Sequence, residues 1–358
     1  MTFATHSPRH DADMISAASR SRWISFGFLA GLAVGVGALL SASGFAVGPA
    51  LDALVRGSLG SWYAIGSGTL VRATPLILTG LAVAIAFRAG VFNIGAEGQF
   101  LVGATGGTAI ALTMHSAPAV LLIPATLIAG ACAGAVWAWI AAVLRVRFHV
   151  LEVISTIMLN FLAVYLVSYL VRGPMQEPTH IYPQTVSIVN AARLPRFGGE
   201  TRLHIGFAIA VLACLAAWWT IRYTAGGFRL RAVGANPHAA RTAGQIDVDR
   251  VSTRAFLASG ALAGLAGAIE VCGVTYALYE NISPGYGYTA IAVALLARLN
   301  AAAVIATGIL FGALEAGAAA MQRDAGVPSV AVSVVEAGII LALVAAQRTQ
   351  IRLGATSA

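Results

Sequence analysis

One polar stretch, residues 90–104 with the sequence GVFNIGAEGQFLVGA, separates two strongly apolar segments of the chain. Within it, Asn93, Glu97 and Gln99 supply amide and carboxylate groups that form hydrogen bonds. At the depth of a membrane, such groups are tolerated only where protein or a water-filled cavity covers them. The stretch therefore predicts part of a solute pathway. The alternative is that Glu97 only caps the helix that follows it.

A second set of polar residues, Glu152, Thr156 and Asn160, recurs at every fourth position of an apolar segment. This spacing places the three side chains on one face of a helix. A polar face on a membrane helix is expected to point towards other helices rather than lipid. We interpret it as a wetted pathway surface, with hydrogen bonding between helices as the alternative.

The residue types exclude several enzymatic sites. All 22 basic residues are arginines, and a phosphate-binding loop of the G-x-x-x-x-G-K-[ST] type requires a lysine, so this chain does not bind ATP in that way. No H-E-x-x-H metal motif occurs. The three cysteines lack metal or disulfide spacing and resemble small buried apolar residues. We therefore predict neither a catalytic nor a metal site.

Composition predicts an all-α, polytopic membrane protein. Of the 358 residues, 58% are hydrophobic and 10% are charged, and the mean hydropathy is +0.82. Soluble globular proteins have about 25% charged residues. The net charge is +8, and most of the arginines that produce it lie in loops and at span ends. It therefore indicates topology rather than nucleic-acid binding.

The apolar pattern predicts about ten membrane segments within residues 24–347, including broken or re-entrant helices. Basic loops place both tails, residues 1–23 and 348–358, in the cytoplasm. Alternation of the spans places loop 172–203 outside and the basic loop 223–250 inside.

Three segments have special lengths or positions. Residues 24–47 exceed the usual signal-peptide core of about 7–15 residues and are expected to form an uncleaved first span. Residues 286–297 are apolar but too few to cross comfortably, which indicates a short or re-entrant helix. Residues 328–346 are expected to form the last span.

The cytoplasmic loop is expected to contain a short helix at residues 237–243. The side chain of Asn236 suits the cap position, Pro237 suits the first helical position, and Gly244 suits the end. A helix between spans offers a surface for a cytoplasmic partner to push against. The alternative is a solvated loop with one helical turn.

The external loop is basic although it lies on the side where arginines are less common. We predict that its arginines dock an acidic soluble partner, with ordinary solvated charge as the alternative. These residues are Arg172, Arg193, Arg196 and Arg202.

Three motifs resemble the permease subunits of bacterial ABC importers in the branched-chain amino-acid, simple-sugar and nucleoside superfamily. They are FRAGVFNIGAEGQFLVGA at residues 87–104, GFRLRAVGANPHAARTAGQIDV at 227–248 and GYGYTAIAVALLARLN at 285–300. The resemblance extends over residues 70–346, and its FNIGAEGQ form is most similar to the nucleoside branch.

The resemblance implies a transport subunit rather than an enzyme, in the bacterial cytoplasmic (inner) membrane. It implies a second permease, identical or paralogous, a cytoplasmic ABC ATPase that carries ATP and Mg, and an external solute-binding protein. No cofactor is expected in this chain. The implied cargo is a nucleoside, with a simple sugar of the ribose type as the alternative.

The resemblance also assigns roles to residues. The polar stretch lies near the pathway, where amides and carboxylates offer weak hydrogen bonds and aromatic rings offer stacking. The predicted pathway residues are Phe92, Asn93, Glu97, Gln99 and Phe100 of this stretch, with Glu152 and Asn160 of the polar helix face. The short cytoplasmic helix resembles the coupling helix that contacts the ATPase. The predicted coupling residues are Gly234, Asn236, Pro237, Ala239, Ala240 and Gly244.

Two other classes of membrane protein fit the composition. Carboxylates within apolar segments suggest the proton relay of a secondary transporter, which would work without an ATPase. They are Glu97, Glu270, Glu315 and Glu336. A channel or structural membrane protein would depend neither on ATP nor on a proton gradient.

Overall fold

The computed structural model describes residue 41 and residues 44–244, 246–328, 334 and 337–338. The predicted first span, 24–47, lies almost wholly outside the described residues, and so does the predicted last span, 328–346. The described residues are mostly helical and contain no β-strand, as the sequence predicts.

Eleven helices form over the described residues. They are α1 (Val47–Leu59), α2 (Val71–Arg88), α3 (Ala96–Thr113), α4 (Ala119–Phe148), α5 (Glu152–Arg172), α6 (Gly206–Tyr223), α7 (Ala225–Ala235), α8 (Pro237–Gly244), α9 (Val248–Glu270), α10 (Tyr286–Leu296) and α11 (Ala303–Asp324). A π-helical segment, Ala64–Leu70, precedes α2, and another, Val271–Thr275, follows α9.

Six of these helices are long and apolar enough to cross a membrane. With their π-helical extensions they are Ala64–Arg88, Ala119–Phe148, Glu152–Arg172, Gly206–Tyr223, Val248–Thr275 and Ala303–Asp324. The shorter apolar helix Tyr286–Leu296 agrees with the predicted short or re-entrant segment. At about 1.5 Å per residue, its 11 residues span roughly half of the ~30 Å hydrocarbon core of a bilayer.

The chain forms two compact units, one from Met1–Gly57 with Gly317–Ala358 and the other from Ser58–Ala316. In the first unit, Ala50 and Ala53 pack with Met321 and Val327. The second unit holds the functional stretches. Helix α9 lies at its centre and packs against α2, α3 and α4.

Small residues let the central helices touch along their backbones. A Cβ at Gly264 in α9 would lie 2.3 Å from the Gly130 carbonyl oxygen in α4. A Cβ at Gly103 in α3 would lie 2.2 Å from the Gly264 Cα. In a membrane, helices associate through such close packing, since lipid is as apolar as their side chains. This packing fixes the position of α3, which carries the polar stretch.

The predicted cytoplasmic helix is confirmed as α8, Pro237–Gly244. The Asn236 side-chain oxygen accepts a hydrogen bond from the Ala239 N–H at 3.0 Å, as an N-cap residue does. The loop that connects α5 to α6, which is predicted to be external, contains one short 3₁₀ turn, Asn190–Ala192.

We expect Gly264→Ala to lower the unfolding temperature, because its methyl group would collide with the α4 backbone. Overpacking of this kind costs about 1–3 kcal/mol. Thermal unfolding of the purified protein in detergent measures the effect. Gly226→Ala is the control, because its Cβ would meet only the Thr224 hydroxyl oxygen, at 3.7 Å. Equal unfolding temperatures for the two variants would contradict the close packing at Gly264.

Candidate functional site

The side chains of Asn93 and Gln99 bind each other inside the protein, where both are buried. Asn93 Nδ2 donates to Gln99 Oε1 at 3.0 Å, and Gln99 Nε2 donates to Asn93 Oδ1 at 3.1 Å. Asn93 Nδ2 also donates to Ser259 Oγ at 2.9 Å, and Asn93 Oδ1 accepts from the Gly95 N–H at 2.9 Å. The pair therefore connects the stretch before α3 with α3 and with the central helix α9.

Asn160 attaches the same stretch to α5. Its Oδ1 accepts from the Gly98 N–H at 2.8 Å, and its Nδ2 donates to the Ile94 carbonyl at 2.9 Å. Gly98 is required for this contact, since a Cβ there would lie 2.9 Å from Asn160 Oδ1. Thr156, one turn earlier on α5, accepts from the Ile94 N–H at 3.3 Å. Two members of the polar stripe on α5 thus reach the polar stretch.

The side chain of Glu97, which belongs to α3, is buried beside the first residues of α10. Its Oε2 accepts from the Gly287 N–H at 2.7 Å, and a Cβ at Gly287 would lie 2.1 Å from the Glu97 nitrogen. A carboxylate at a helix N-terminus binds unpaired N–H groups and interacts favourably with the helix dipole. Glu97 therefore caps α10, a helix 190 residues away in sequence, as well as standing in the first turn of α3.

We call these five side chains, Asn93, Glu97, Gln99, Asn160 and Ser259, the polar seam. They bring together α3, α5, α9 and α10 in the interior of the second unit. All five are bonded to one another or to backbone groups. In this conformation these contacts within the protein hold the seam closed.

The remaining predicted pathway residues lie elsewhere. Phe100 is buried and packs edge-to-face against Tyr286 at the start of α10, with ring centroids 5.7 Å apart. Phe92 is 53% exposed and contacts Phe87 instead. Glu152 faces Arg145 across the α4–α5 loop, with Nε and Oε2 3.5 Å apart. Phe100 therefore adjoins the seam, whereas over the described residues neither Phe92 nor Glu152 forms a hydrogen bond, ion pair or ring contact with a seam side chain.

Ser259 and Gly287 are functional-site candidates that were not predicted from the sequence. Ser259 stands beside Gly260 on the small-residue face of α9, and a hydroxyl on such a face was the available signal. Gly287 contributes only its backbone N–H. Its signal was the Pro284-Gly285 sequence before an apolar helix, which marks a helix start with free N–H groups.

The predicted coupling residues occupy α8 and the end of α7. Asn236, Pro237 and Ala239 are exposed, but Ala240 is buried and packs against Val233 and Val248. The Ala240 side chain therefore faces α7 and the start of α9, and it is covered in this conformation. Among the residues of α8 whose burial the structure describes, the exposed side chains are those of Pro237, His238, Ala239, Arg241 and Thr242.

Gly234 connects the coupling segment with the polar stretch. A Cβ at Gly234 would lie only 2.0 Å from the carbonyl oxygen of Arg88, the last residue of α2. Gly90, in the left-handed conformation at φ +73°, follows in the same turn. The end of α7 thus rests directly on the turn that leads to Asn93.

The arginines of the predicted external loop have different surroundings. Arg172 forms a bidentate pair with Glu280, and this pairing lowers the pKa of the Glu280 carboxyl to about 2. Arg193 stacks on the Tyr276 ring at 4.4 Å, and Arg196 Nη2 donates to the Tyr276 hydroxyl at 2.9 Å.

Arg202 is exposed, and its backbone N–H donates to Ser67 Oγ at 2.8 Å. Next to this loop, burial and the charges of Arg196 and Arg202 lower the pKa of His204 to about 4. The imidazole is therefore neutral at pH 7, and its Nδ1 accepts from the Gly206 N–H at 3.2 Å.

We expect a double-mutant cycle at Asn93 and Gln99 to show coupling. Asn93→Ala or Gln99→Met alone leaves a buried amide with lost partners, which costs about 1–3 kcal/mol. The double variant should cost less than the sum, by about 0.5–3 kcal/mol. Equilibrium unfolding in mixed micelles measures all four proteins. Strictly additive losses would contradict the amide pair.

The chain was compared with known proteins. A family model described as "Branched-chain amino acid transport system / permease component" matches residues 65–345. The guanosine ABC transporter permease protein NupP of Bacillus subtilis is 41% identical over 315 residues, covering 87% of this chain and 89% of that protein. The glucose ABC transporter permease protein TsgB13 of Haloferax volcanii is 40% identical over 342 residues, covering 91% of this chain and 88% of that protein.

A third relative, the nucleoside ABC transporter permease protein NupB of Lactococcus lactis, is 33% identical over 326 residues, covering 88% of this chain and 87% of that protein. The family model covers the polar stretch, α8 and most of the apolar helices. The predicted resemblance is thereby confirmed. The chain belongs to the permease-component family of branched-chain amino acid type ABC transport systems, and it is a multi-pass membrane transport subunit.

Proposed function

We propose that this permease subunit forms the translocation pathway of an ATP-driven importer that carries a nucleoside. Two similar proteins are named for guanosine and for nucleosides, and alignment with each covers more than four fifths of this chain. An external solute-binding protein delivers the cargo, and a separate ATPase with ATP and Mg drives the cycle. A second permease, identical or paralogous, completes the membrane part.

The polar seam is the observation that carries this proposal. It gathers two reciprocal amides, a third amide, a carboxylate and a hydroxyl inside a mostly apolar bundle. Amides match the donor and acceptor pattern of a base edge, and carboxylates accept from ribose hydroxyls. The Phe100 and Tyr286 rings beside the seam offer a surface for stacking. The cargo can form these contacts only while the seam is open. This condition keeps the binding of the cargo weak enough for its release.

The exposed face of α8 is the proposed contact with the ATPase. On the opposite side of the helix, the buried Ala240 holds α8 to α7 and to the start of α9. The exposed face, which includes Ala239, is free to enter a groove on the partner. When the ATPase moves α8, the contact between Gly234 and Arg88 carries the movement to the polar stretch.

The external face is the proposed docking surface for the binding protein. Arg202 is exposed, and Arg196 is exposed although it also bonds Tyr276. Arg172 and Arg193 hold the loop through Glu280 and Tyr276 and support the surface. This arrangement requires both chain ends and α8 to lie in the cytoplasm of a bacterial inner membrane.

A simple sugar is the second candidate cargo. The similar protein from Haloferax volcanii is named for glucose, and its identity to this chain is 40%, against 41% for the guanosine permease. A sugar would use the same carboxylate and amides for its hydroxyl groups. It would leave the base-edge pairing and aromatic stacking unused.

Uptake into proteoliposomes tests the proposal. The vesicles contain this chain, its ATPase and its partner permease, with enclosed ATP and external binding protein, and receive labelled guanosine or labelled glucose. We expect ATP-dependent guanosine uptake. Ala239→Arg should reduce it by about tenfold, which corresponds to about 1.4 kcal/mol of lost subunit contact.

Ala239→Ser and Ser116→Arg serve as controls. The first keeps a small side chain on α8, and the second adds the same charge to the exposed loop between α3 and α4. Both should transport normally. ATP-dependent uptake of glucose alone would replace the nucleoside by a sugar. Uptake that needs a proton gradient and no ATP would contradict the importer.

A further inference from the structure

A basic cavity lies between the ends of α2 and α6, the helix α7 and the turn that precedes α11. Its volume is about 370 Å³, including its open mouth. The residues around it are Arg88, Trp218, Ile221, Arg222, Arg231, Asn300 and Ala301. The cavity adjoins the coupling segment at Arg88, whose backbone carbonyl contacts Gly234, and it is lined by none of the polar-seam side chains.

Three arginines and no acidic residue line the cavity. Arg88 Nη1 donates to the Leu299 carbonyl at 3.0 Å, and Arg231 Nε is buried without a hydrogen-bond partner. Over the part of the chain that the structure describes, no ion pair involves Arg88, Arg222 or Arg231. Concentrated, unneutralised guanidinium groups favour a bound anion, and their planar forks match phosphate oxygens.

The cavity lies at the ends of two candidate membrane spans. Arg88 is the last residue of α2, and Arg222 stands in the last turn of α6. Trp218, one turn earlier, packs edge-on against Tyr223, with ring centroids 5.9 Å apart. Arginine and aromatic residues at span ends occupy the headgroup region of a bilayer.

The neighbouring surface of α6 is apolar and uncovered in the single chain. Leu212, Leu215 and Trp219 are 64%, 45% and 57% exposed. Acyl chains can lie along such a surface while a headgroup enters the cavity beside it. A free anion would use the arginines but would gain nothing from this apolar surface.

We propose that the cavity binds the phosphate of an anionic phospholipid headgroup. Basic pockets between membrane helices bind anionic headgroups in this manner. Here the bound phosphate would connect the end of α2 with Arg222 of α6 and Arg231 of α7. Helix α7 leads directly into α8, so the lipid would stabilise the base of the coupling segment.

Lipid-dependent thermal stability tests the proposal. The full-length chain is purified in neutral detergent and titrated with phosphatidylglycerol, phosphatidylcholine or inorganic phosphate, the last balanced with chloride for ionic strength. We expect phosphatidylglycerol alone to raise the unfolding temperature. In Arg222→Gln/Arg231→Gln, the apparent affinity for phosphatidylglycerol should fall by about tenfold or more, because two charge-assisted hydrogen bonds are lost.

Arg229→Gln/Arg254→Gln is the matched control. It removes the same charge from exposed positions outside the cavity and should keep the native response. If the double variant folds poorly, Arg222→Gln alone can be used, because it changes an exposed side chain. It should also weaken the stabilisation by phosphatidylglycerol. An equal loss in the control would overturn the cavity assignment. An equal stabilisation by inorganic phosphate would overturn the assignment to lipid.

Discussion

The need to satisfy polar groups without water dominates this structure. Lipid offers no hydrogen bonds, so every amide and carboxylate of the polar stretch must find its partner inside the protein. Asn93 and Gln99 bind each other, and Asn160 and Glu97 bind backbone groups of other elements. These bonds hold α3, α5, α9 and α10 in one closed arrangement. In the function we propose, the same groups would bind a polar cargo once separated, so closure and recognition would depend on the same atoms.

Close backbone contacts make this arrangement mechanically continuous. The contact of Gly234 with the Arg88 carbonyl connects the coupling segment to the turn before Asn93. The contact of Gly287 with Glu97 connects α3 to α10. A backbone contact leaves no flexible side chain to absorb a displacement, so in the transport cycle we propose movement at α8 would reach the seam. Anionic lipid in the cavity at Arg222 and Arg231 would act on the same segment from the membrane side.

Local signals explain what the sequence predicted well. The cap at Asn236 and the proline after it need only neighbouring residues, and α8 forms where they indicate. The partners of the polar stretch were not predictable, because Glu97 meets Gly287 at a separation of 190 residues. Ala240 was expected to face the ATPase, but an alanine alone does not reveal which side of a short helix is covered. The family could be predicted because its motifs occur in order along the chain. The prediction of the cargo depends on only a few positions.

Opening of the polar seam during transport is the central claim, and cysteine accessibility tests it most directly. In the complete importer, with exposed Cys132 replaced by Ala, Ser259→Cys is treated with a charged, water-soluble thiol reagent at rest and during ATP turnover. If the seam opens during transport, Ser259→Cys should be protected from the reagent at rest and labelled during ATP turnover. Bound cargo should slow this labelling. Buried Cys214 on α6 should stay unlabelled throughout and serves as the internal control. Protection of the new cysteine in every state, while transport proceeds, would contradict the account.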